Sequence, residues 1–284
     1  MERPITLLTG ATSGIGHETA IILYLSGHHL VLGNRNPEKA EILKKELLNL
    51  DPNGSFEMLE VDLASFESIK DFSIIVHQKY DHLDNLINNA GVFMRRKLYT
   101  KEGFEMAMGV NHLGTYYLTE LLKDMLVENS KVVMVSSIGC YWGSINVKEN
   151  SFTRRRNPFQ NYFDSKLANL AYVKELADEL KSRNIGVRAA DPGVVYSHIW
   201  KWRSGFGRFL ERIQRKIMKS AQQGALVVVS LVSDGRELED DRLMFTLKSS
   251  RKLPKKIRSN LRRKSFVEHT KKAVNSAINA NLDD

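Results

Sequence analysis

One cysteine (Cys140), six prolines and no long apolar run characterise this 284-residue sequence. A lone thiol can neither close an intramolecular disulfide nor build a cysteine-rich zinc site. A disulfide-stapled scaffold is therefore excluded, no metal is expected, and a reducing, intracellular and cytoplasmic setting is. The prolines are scattered, and no Pro/Gly/Ser-rich tract divides the chain, so one domain is expected rather than two. Runs such as AIILYL (20–25) and GALVVVSLV (224–232) fall well short of the roughly 18 residues that cross a bilayer. The N-terminal MERPITLLTG runs straight into a glycine-rich turn, so no secretory or transit signal is expected there. What is present suffices for a full core: 42% of the residues are hydrophobic.

The formal charge of +9 is unevenly placed. Residues 201–219 hold seven Lys/Arg and one acid, and residues 251–264 hold eight Lys/Arg and no acid. Those two windows together carry +14, leaving the remainder at −5, an ordinary balance for a soluble enzyme.

Short β-branched or apolar runs alternate with longer segments of helical spacing up to about residue 192. The spacing predicts strands at 5–9, 29–33, 55–61, 83–88, 131–136 and 186–191, and helices at 15–26, 37–50, 65–80, 103–127 and 161–183. Such alternation implies βαβ units and a parallel sheet covered on both faces, a doubly wound α/β layout. After Gly193 it fades into YSHIWKWRSGFGRFLERIQRKIMK, followed by a predicted helix at 219–233, a last strand at 241–247 and a basic tail.

TGATSGIG (9–16) joins the first strand to the first helix, where a glycine-rich loop can cradle a dinucleotide pyrophosphate on helix N–H groups. Gly10 permits the tight turn, Gly14 close approach of the phosphates, and Gly16 close helix–strand packing. The second strand ends in Gly33, Asn34 and Arg35 with no carboxylate to accept from a ribose 2′-OH. Arg35 offers instead a planar donor fork suited to a 2′-phosphate, which favours NADP(H) over NAD(H). A solvent-exposed strand cap is the alternative reading of Arg35.

YFDSK (162–166) places Tyr162 and Lys166 four apart in a helical segment, on one face and one turn apart. An ammonium beside a phenol stabilises the phenolate and is expected to lower the tyrosine pKa toward the range of a working acid/base. Alone, this spacing is common and usually structural. Its context is more telling, because Ser136–Ser137 end the fifth strand at the carboxyl edge, where open α/β sheets bind ligands. NNAG (88–91) ends the fourth strand beside the switch point, where Gly91 leaves room for a cofactor.

In order along the chain, TGATSGIG, Asp62 of VDL, NNAG, Asn111 of VNHLG, Ser136–Ser137, YFDSK and PGVVYS (192–197) resemble the motifs of the short-chain dehydrogenase/reductase family over about the first 200 residues. The resemblance implies a Rossmann-type, doubly wound α/β fold with a predominantly parallel sheet of about seven strands. It divides the chain into 1–250, with a substrate lid near 196–220, and a basic C-terminal extension, 251–284. By residue, it implies Tyr162 as general acid/base, Lys166 on the nicotinamide ribose, Ser137 on the substrate carbonyl and Asn111 anchoring a water. Gly10, Thr12, Ser13, Gly14, Ile15 and Gly16 would hold the pyrophosphate; Asp62 and Leu63 the adenine; Asn89, Ala90 and Gly91 the adenosine ribose. Pro192 and Gly193 would border the nicotinamide, with Val195 and Ser197 on its carboxamide.

NHLG, YFDSKLANL and NRNPEKA look like the branch containing retinol dehydrogenases, which generally prefers NADP(H). Three positions depart from that branch: His17 where Lys is usual, Asp191 where His commonly precedes PG, and Ser197 where Thr is usual. The expected activity is interconversion of an alcohol and a lipophilic aldehyde or ketone. The alternative is a catalytically weak dinucleotide sensor or scaffold at a membrane surface. The resemblance also implies a homodimer or homotetramer.

Phe206, Phe209, Leu210, Ile213 and Ile217 recur at helical spacing among Arg208, Arg212, Arg215, Lys216 and Lys219. They read as a substrate lid or, with Trp200 and Trp202, as an interfacial helix making peripheral membrane contact through 200–219. The 251–264 tract reads as a solvated basic tail, with an anionic membrane surface as the second reading. No nucleic-acid-binding motif accompanies it, so nucleic acid is not expected. Cys140 reads as an inert buried residue or as a reactive thiol near the site.

Overall fold

The computed structural model describes residues 3–50, 53–148, 151–154, 156–193, 220–233 and 242–280. Its strands are β1 (Ile5–Thr9), β2 (His29–Asn34), β3 (Ser55–Glu60), β4 (Leu83–Asn88), β5 (Leu126–Val135), β6 (Gly186–Ala190), β7 (Met244–Phe245) and β8 (Ser250–Arg251). They form one sheet in the order β3-β2-β1-β4-β5-β6-β7-β8, parallel throughout except for β8, which runs antiparallel to β7. The order reverses between β1 and β4, and a ligand crevice opens at the carboxyl ends beside such a reversal.

Alternate residues of each central strand feed opposite faces, as a pleat of period two requires. Leu7, Leu86, Val132, Met134, Val187 and Ala189 join one core with α3 (Phe66–Lys79), α4 (Thr115–Leu122) and α5 (Pro158–Leu180). Leu8, Leu30, Leu32, Ile87, Val133, Val135 and Ala190 join the other with α1 (Gly14–Leu25), α2 (Pro37–Leu48) and α6 (Ala221–Ser233). Burial on both faces explains why these strands read as continuous apolar runs. Helix starts follow local chemistry: Asn36 accepts from Lys39 N before Pro37, and Asn157 accepts from Gln160 N before Pro158.

The sheet matches the expected predominantly parallel, doubly wound layout, with eight strands where about seven were expected. Three other expectations are corrected. The strand predicted at 131–136 begins at Leu126, where Ser130 Oγ donates to Leu83 O and accepts from Val127 N. The strand predicted at 241–247 is only Met244–Phe245. The helix predicted over 103–127 is broken by a π-helical stretch, Gly109–Gly114, before α4. Two close approaches hold the π stretch: a Cβ would lie 2.2 Å from Thr100 Cγ2 at Gly109, and 2.2 Å from the Leu63 carbonyl oxygen at Gly114. Such π stretches occur disproportionately at functional sites.

The basic stretch is not wholly solvated either. Residues 260–280 form α7 (Asn260–Ala280), whose Arg263, Phe266, Thr270 and Val274 are buried at helical spacing. Arg263 is only 4% exposed, bonded to Glu175 on α5 and to the Ile257 carbonyl. Among the described residues no helix is long and apolar enough to cross a membrane. Val195, Ser197, Trp200, Trp202 and the amphipathic 206–217 segment of the expected lid lie outside the described residues.

Candidate active site

The carboxyl ends of β1 to β6 bring the described candidate residues to one edge of the sheet. At the β1–α1 junction, Gly10 has φ +71°, and a Cβ there would meet Ala90 Cα at 2.8 Å. A Cβ on Gly16 would sit 2.2 Å from the Gly10 carbonyl oxygen, so the helix can only pack this closely without a side chain. Gly14, at φ +56°, would point a Cβ into open space, which leaves the loop's outer face accessible. Ser13 occupies the N-cap of α1 without a side-chain cap bond, and no acid lies in the first turn. Helix N–H groups are thus left for an anion, and the cradle fits a dinucleotide pyrophosphate. Thr12 and Ile15 flank it, half-buried.

Asn89 braces this loop. Its Nδ2 donates to the carbonyls of Thr9 (2.9 Å) and Gly10 (3.1 Å), while Thr9 Oγ1 accepts from Asn89 N and Ala90 N. The side chain expected at the adenosine ribose is therefore committed to the turn. Arg35, just past β2, is 57% exposed, with Nη1 3.9 Å from Asp62 Oδ1. Asp62 also caps its own turn by accepting from Ala64 N, and Leu63 is buried. His17 does not face outward as a free cation, since its Nε2 lies 2.7 Å from Glu46 Oε2.

Tyr162 and Lys166 lie one turn apart on α5, and the Ser137 hydroxyl is near enough to the phenol to favour its ionised form. Ser137 Oγ also accepts from Gly139 N, fixing the short helical turn Ile138–Trp142. Ser136, in contrast, points its Oγ into the interior without a partner among the described residues. Burial pushes the Tyr162 phenol up to about 12; the Ser137 hydroxyl opposes the rise, and the Asp191 carboxylate and Cys140 add to it. The expected lowering by Lys166 is absent. Lys166 Nζ donates to the Val135 carbonyl at 2.9 Å and lies 5.7 Å from the Tyr162 ring centre, and burial pushes its own pKa down to about 8.

Gly91 brings two further groups together, since a Cβ there would lie 3.4 Å from both Asn111 Oδ1 and Lys166 Nζ. Asn111 sits in the π stretch with its amide engaged by protein: Oδ1 accepts from Val92 N (2.7 Å), and Nδ2 donates to Val92 O and Ser165 Oγ (3.0 Å each). Its carbonyl accepts from Asn169 Nδ2 at 2.7 Å. Pro192 is buried, and Gly193, at φ +80°, donates to Asp191 Oδ1. Cys140 is buried and burial pushes its thiol up to about 12, so it is not a reactive thiolate at neutral pH.

Three features escaped sequence reasoning. The fully buried His112 lies between Asn169 Oδ1 (3.1 Å from Nδ1) and Thr270 Oγ1 (3.0 Å from Nε2), and stacks on Phe266. Because Asn169 Nδ2 is committed to Asn111, its Oδ1 calls for an N–H at His112 Nδ1, which leaves Nε2 of the neutral ring as an acceptor facing the Thr270 hydroxyl, whose one proton is shared between Nε2 and the Phe266 carbonyl. Burial pushes His112 down to about 4, consistent with a neutral ring. Second, Asp191 is wholly buried, with Oδ2 3.5 Å from Arg251 Nε. Third, an aromatic cluster of Phe93, Phe159, Phe163 and Trp142 surrounds Tyr162, with Phe93 5.9 Å from its ring and Trp142 61% exposed. Only Asp191 gave a signal, as a departure from a motif.

A family model described as short chain dehydrogenase matches residues 4–204. Retinol dehydrogenase 11 of Mus musculus is 36% identical over 223 residues, covering 78% of this chain and 70% of that protein. An uncharacterized protein from Mycobacterium Paratuberculosis has a crystal structure similar at TM-score 0.73 and 26% identity, covering 96% of this chain and 93% of that one. A short chain dehydrogenase from Burkholderia cenocepacia J2315, solved in complex with NADP, matches at TM-score 0.68 and 21% identity over 86% of this chain and 96% of that one. That last likeness is one of fold.

Proposed function

This chain belongs to the short-chain dehydrogenase family of nicotinamide-dependent oxidoreductases, and we propose that it interconverts an alcohol with a lipophilic aldehyde or ketone using NADP(H), with Tyr162 as general acid/base. The observation that carries the reading is that one edge of the sheet holds the glycine cradle after β1 and, after β5, Ser137 with the Tyr162–Lys166 turn of α5, Lys166 being bonded to Val135 O at the end of β5. A phenol that keeps its proton at neutral pH is the form a carbonyl reduction consumes.

Gly10, Thr12, Ser13, Gly14, Ile15 and Gly16 hold the pyrophosphate, Arg35 the 2′-phosphate, and Asp62 and Leu63 the adenine. The backbone of Asn89 to Gly91 lines the adenosine ribose, and Lys166 donates to the nicotinamide ribose. Pro192 and Gly193 border the ring, with Val195 and Ser197 at the carboxamide. The choice of NADP(H) rests on Arg35 and on the missing carboxylate at the end of β2; NADP is also the cofactor bound by the Burkholderia protein of the same fold. When bound, the cofactor supplies or accepts the hydride at the substrate carbon. In reduction, Ser137 donates to the carbonyl oxygen and Tyr162 passes its phenolic proton to that oxygen as negative charge develops. In oxidation the Tyr162 phenolate takes the hydroxyl proton. Asn111 keeps the Val92 backbone and Ser165 in register beside this pair.

A lipophilic substrate is supported by the aromatic cluster around Tyr162 and by the likeness to mouse retinol dehydrogenase 11. Single-turnover oxidation of bound NADPH, followed by its absorbance against lipophilic aldehydes, ketosteroids, quinones and retinaldehydes, tests the reading. Rapid loss of the NADPH signal with one class is the expected result. Tight NADPH binding with no consumption by any of them would overturn it.

A further inference from the structure

The segment past the family-matched residues returns to the site through the β7–β8 hairpin. The β7–β8 hairpin places Arg251 opposite Met244, and its Nε lies 3.5 Å from Asp191 Oδ2. Asp191 is the first residue beyond β6, and its N–H donates to Phe245 O at 2.7 Å. The neighbouring strand end, Ser136, donates its N–H to Ala190 O at 2.8 Å, so Asp191 is set across from the Ser136–Ser137 corner. The carboxylate is fully buried: Oδ1 accepts from Gly193 N, and Oδ2 has the Arg251 charge but no hydrogen bond. A buried carboxylate needs a compensating charge, and Arg251 is the cation paired with it among the described residues.

We propose that Arg251 and Asp191 are positioning residues whose charge balance at the end of β6 sets how readily Tyr162 releases its proton. This rests on Tyr162 being the acid/base. Among the described residues, the groups acting on the phenol from the packed elements are the Ser137 hydroxyl and Cys140 after β5, Asp191 after β6 and Lys166 on α5. Tyr141, Arg251 and Arg258 share the Asp191 surroundings. Cys140 holds its proton up to about 12, which leaves the Asp191–Arg251 pair as the charge to switch near the phenol. Removing the Arg251 charge leaves an uncompensated carboxylate, which disfavours the phenolate; removing the Asp191 charge does the reverse.

The test is the pH profile of kcat/KM for NADP+-dependent oxidation of retinol, with NADPH affinity measured in parallel. Arg251→Gln is expected to move the rising limb up by about one pH unit, and Asp191→Asn to move it down by a similar amount. The Asp191→Asn/Arg251→Gln double variant and Arg251→Lys should both return toward the native profile, with NADPH affinity unchanged throughout. If single variants lower activity without moving the limb, or move it in the same direction, the proposal is overturned. Should Arg251→Gln fail to fold, Asp191→Asn decides alone: an unmoved limb sinks the idea. Turnover that survives Tyr162→Phe, or no native turnover at all, removes the proposed function and this inference with it.

Discussion

The carboxyl end of β1 is shaped by glycine and by backbone bonds, whereas the ends of β5 and β6 are shaped by buried charged and polar side chains. At the first, Gly10 and Gly16 fit because a Cβ would strike Ala90 or the Gly10 carbonyl, and Asn89 ties two carbonyls. At the second, the buried Lys166 and Asp191 and the half-buried Tyr162 and Ser137 lie around one corner. Substitutions in the cradle should therefore act through space and binding, and substitutions at the corner through charge and proton transfer.

The sharpest test of that contrast is Tyr162→Phe. It should cut single-turnover NADPH oxidation by about 10²- to 10⁴-fold while NADPH binding, read by fluorescence, stays close to native. Full retention of turnover would place acid/base chemistry elsewhere. The pH dependence of the native protein comes next. With the phenol protonated up to about 12, reduction should show no fall from Tyr162 titration between about pH 6 and 9, whereas oxidation should rise by up to about tenfold per unit. In the cradle, Arg35→Ala should weaken NADPH by roughly 10- to 100-fold with NADH little changed, in equilibrium binding. Equal weakening of both would remove the 2′-phosphate assignment.

Gly16→Ala should lower stability by about 1–3 kcal/mol in urea unfolding, because the Gly10 carbonyl cannot retreat from the added methyl. The smallest effect is expected at Thr270→Val, which strips His112 of a partner at a cost of about 1 kcal/mol. Since His112 is held neutral at about 4, its buried form adds stability above its unfolded pKa. That contribution is lost as pH falls from about 6.5 toward 4, so His112→Gln should flatten the thermal midpoint over that window.

Strands β1 to β4 and β6 were legible within a residue or so, because burial on both faces writes an apolar run with turn residues at each end. The Tyr162–Lys166 spacing and the glycine loop were legible for the same reason: their geometry is local. The break at Gly109–Gly114 was not, since it depends on Thr100 and Leu63 pressing on the two glycines from other parts of the chain. Nor could charge counting separate Arg263, buried against Glu175, from its exposed basic neighbours. The upward shift of Tyr162 comes from burial and from Asp191 and Cys140, groups brought beside it from the ends of other strands.

The bond between His112 and Thr270 spans 158 residues of sequence. During synthesis, the segment carrying Asn111 leaves the ribosome long before the helix that completes its surroundings. Domains otherwise tend to fold in the order they emerge. The His112 surroundings behind Asn111 are thus completed late, and a nascent chain stalled before Thr270 would hold a dinucleotide cradle beside an Asn111 segment still missing its final support.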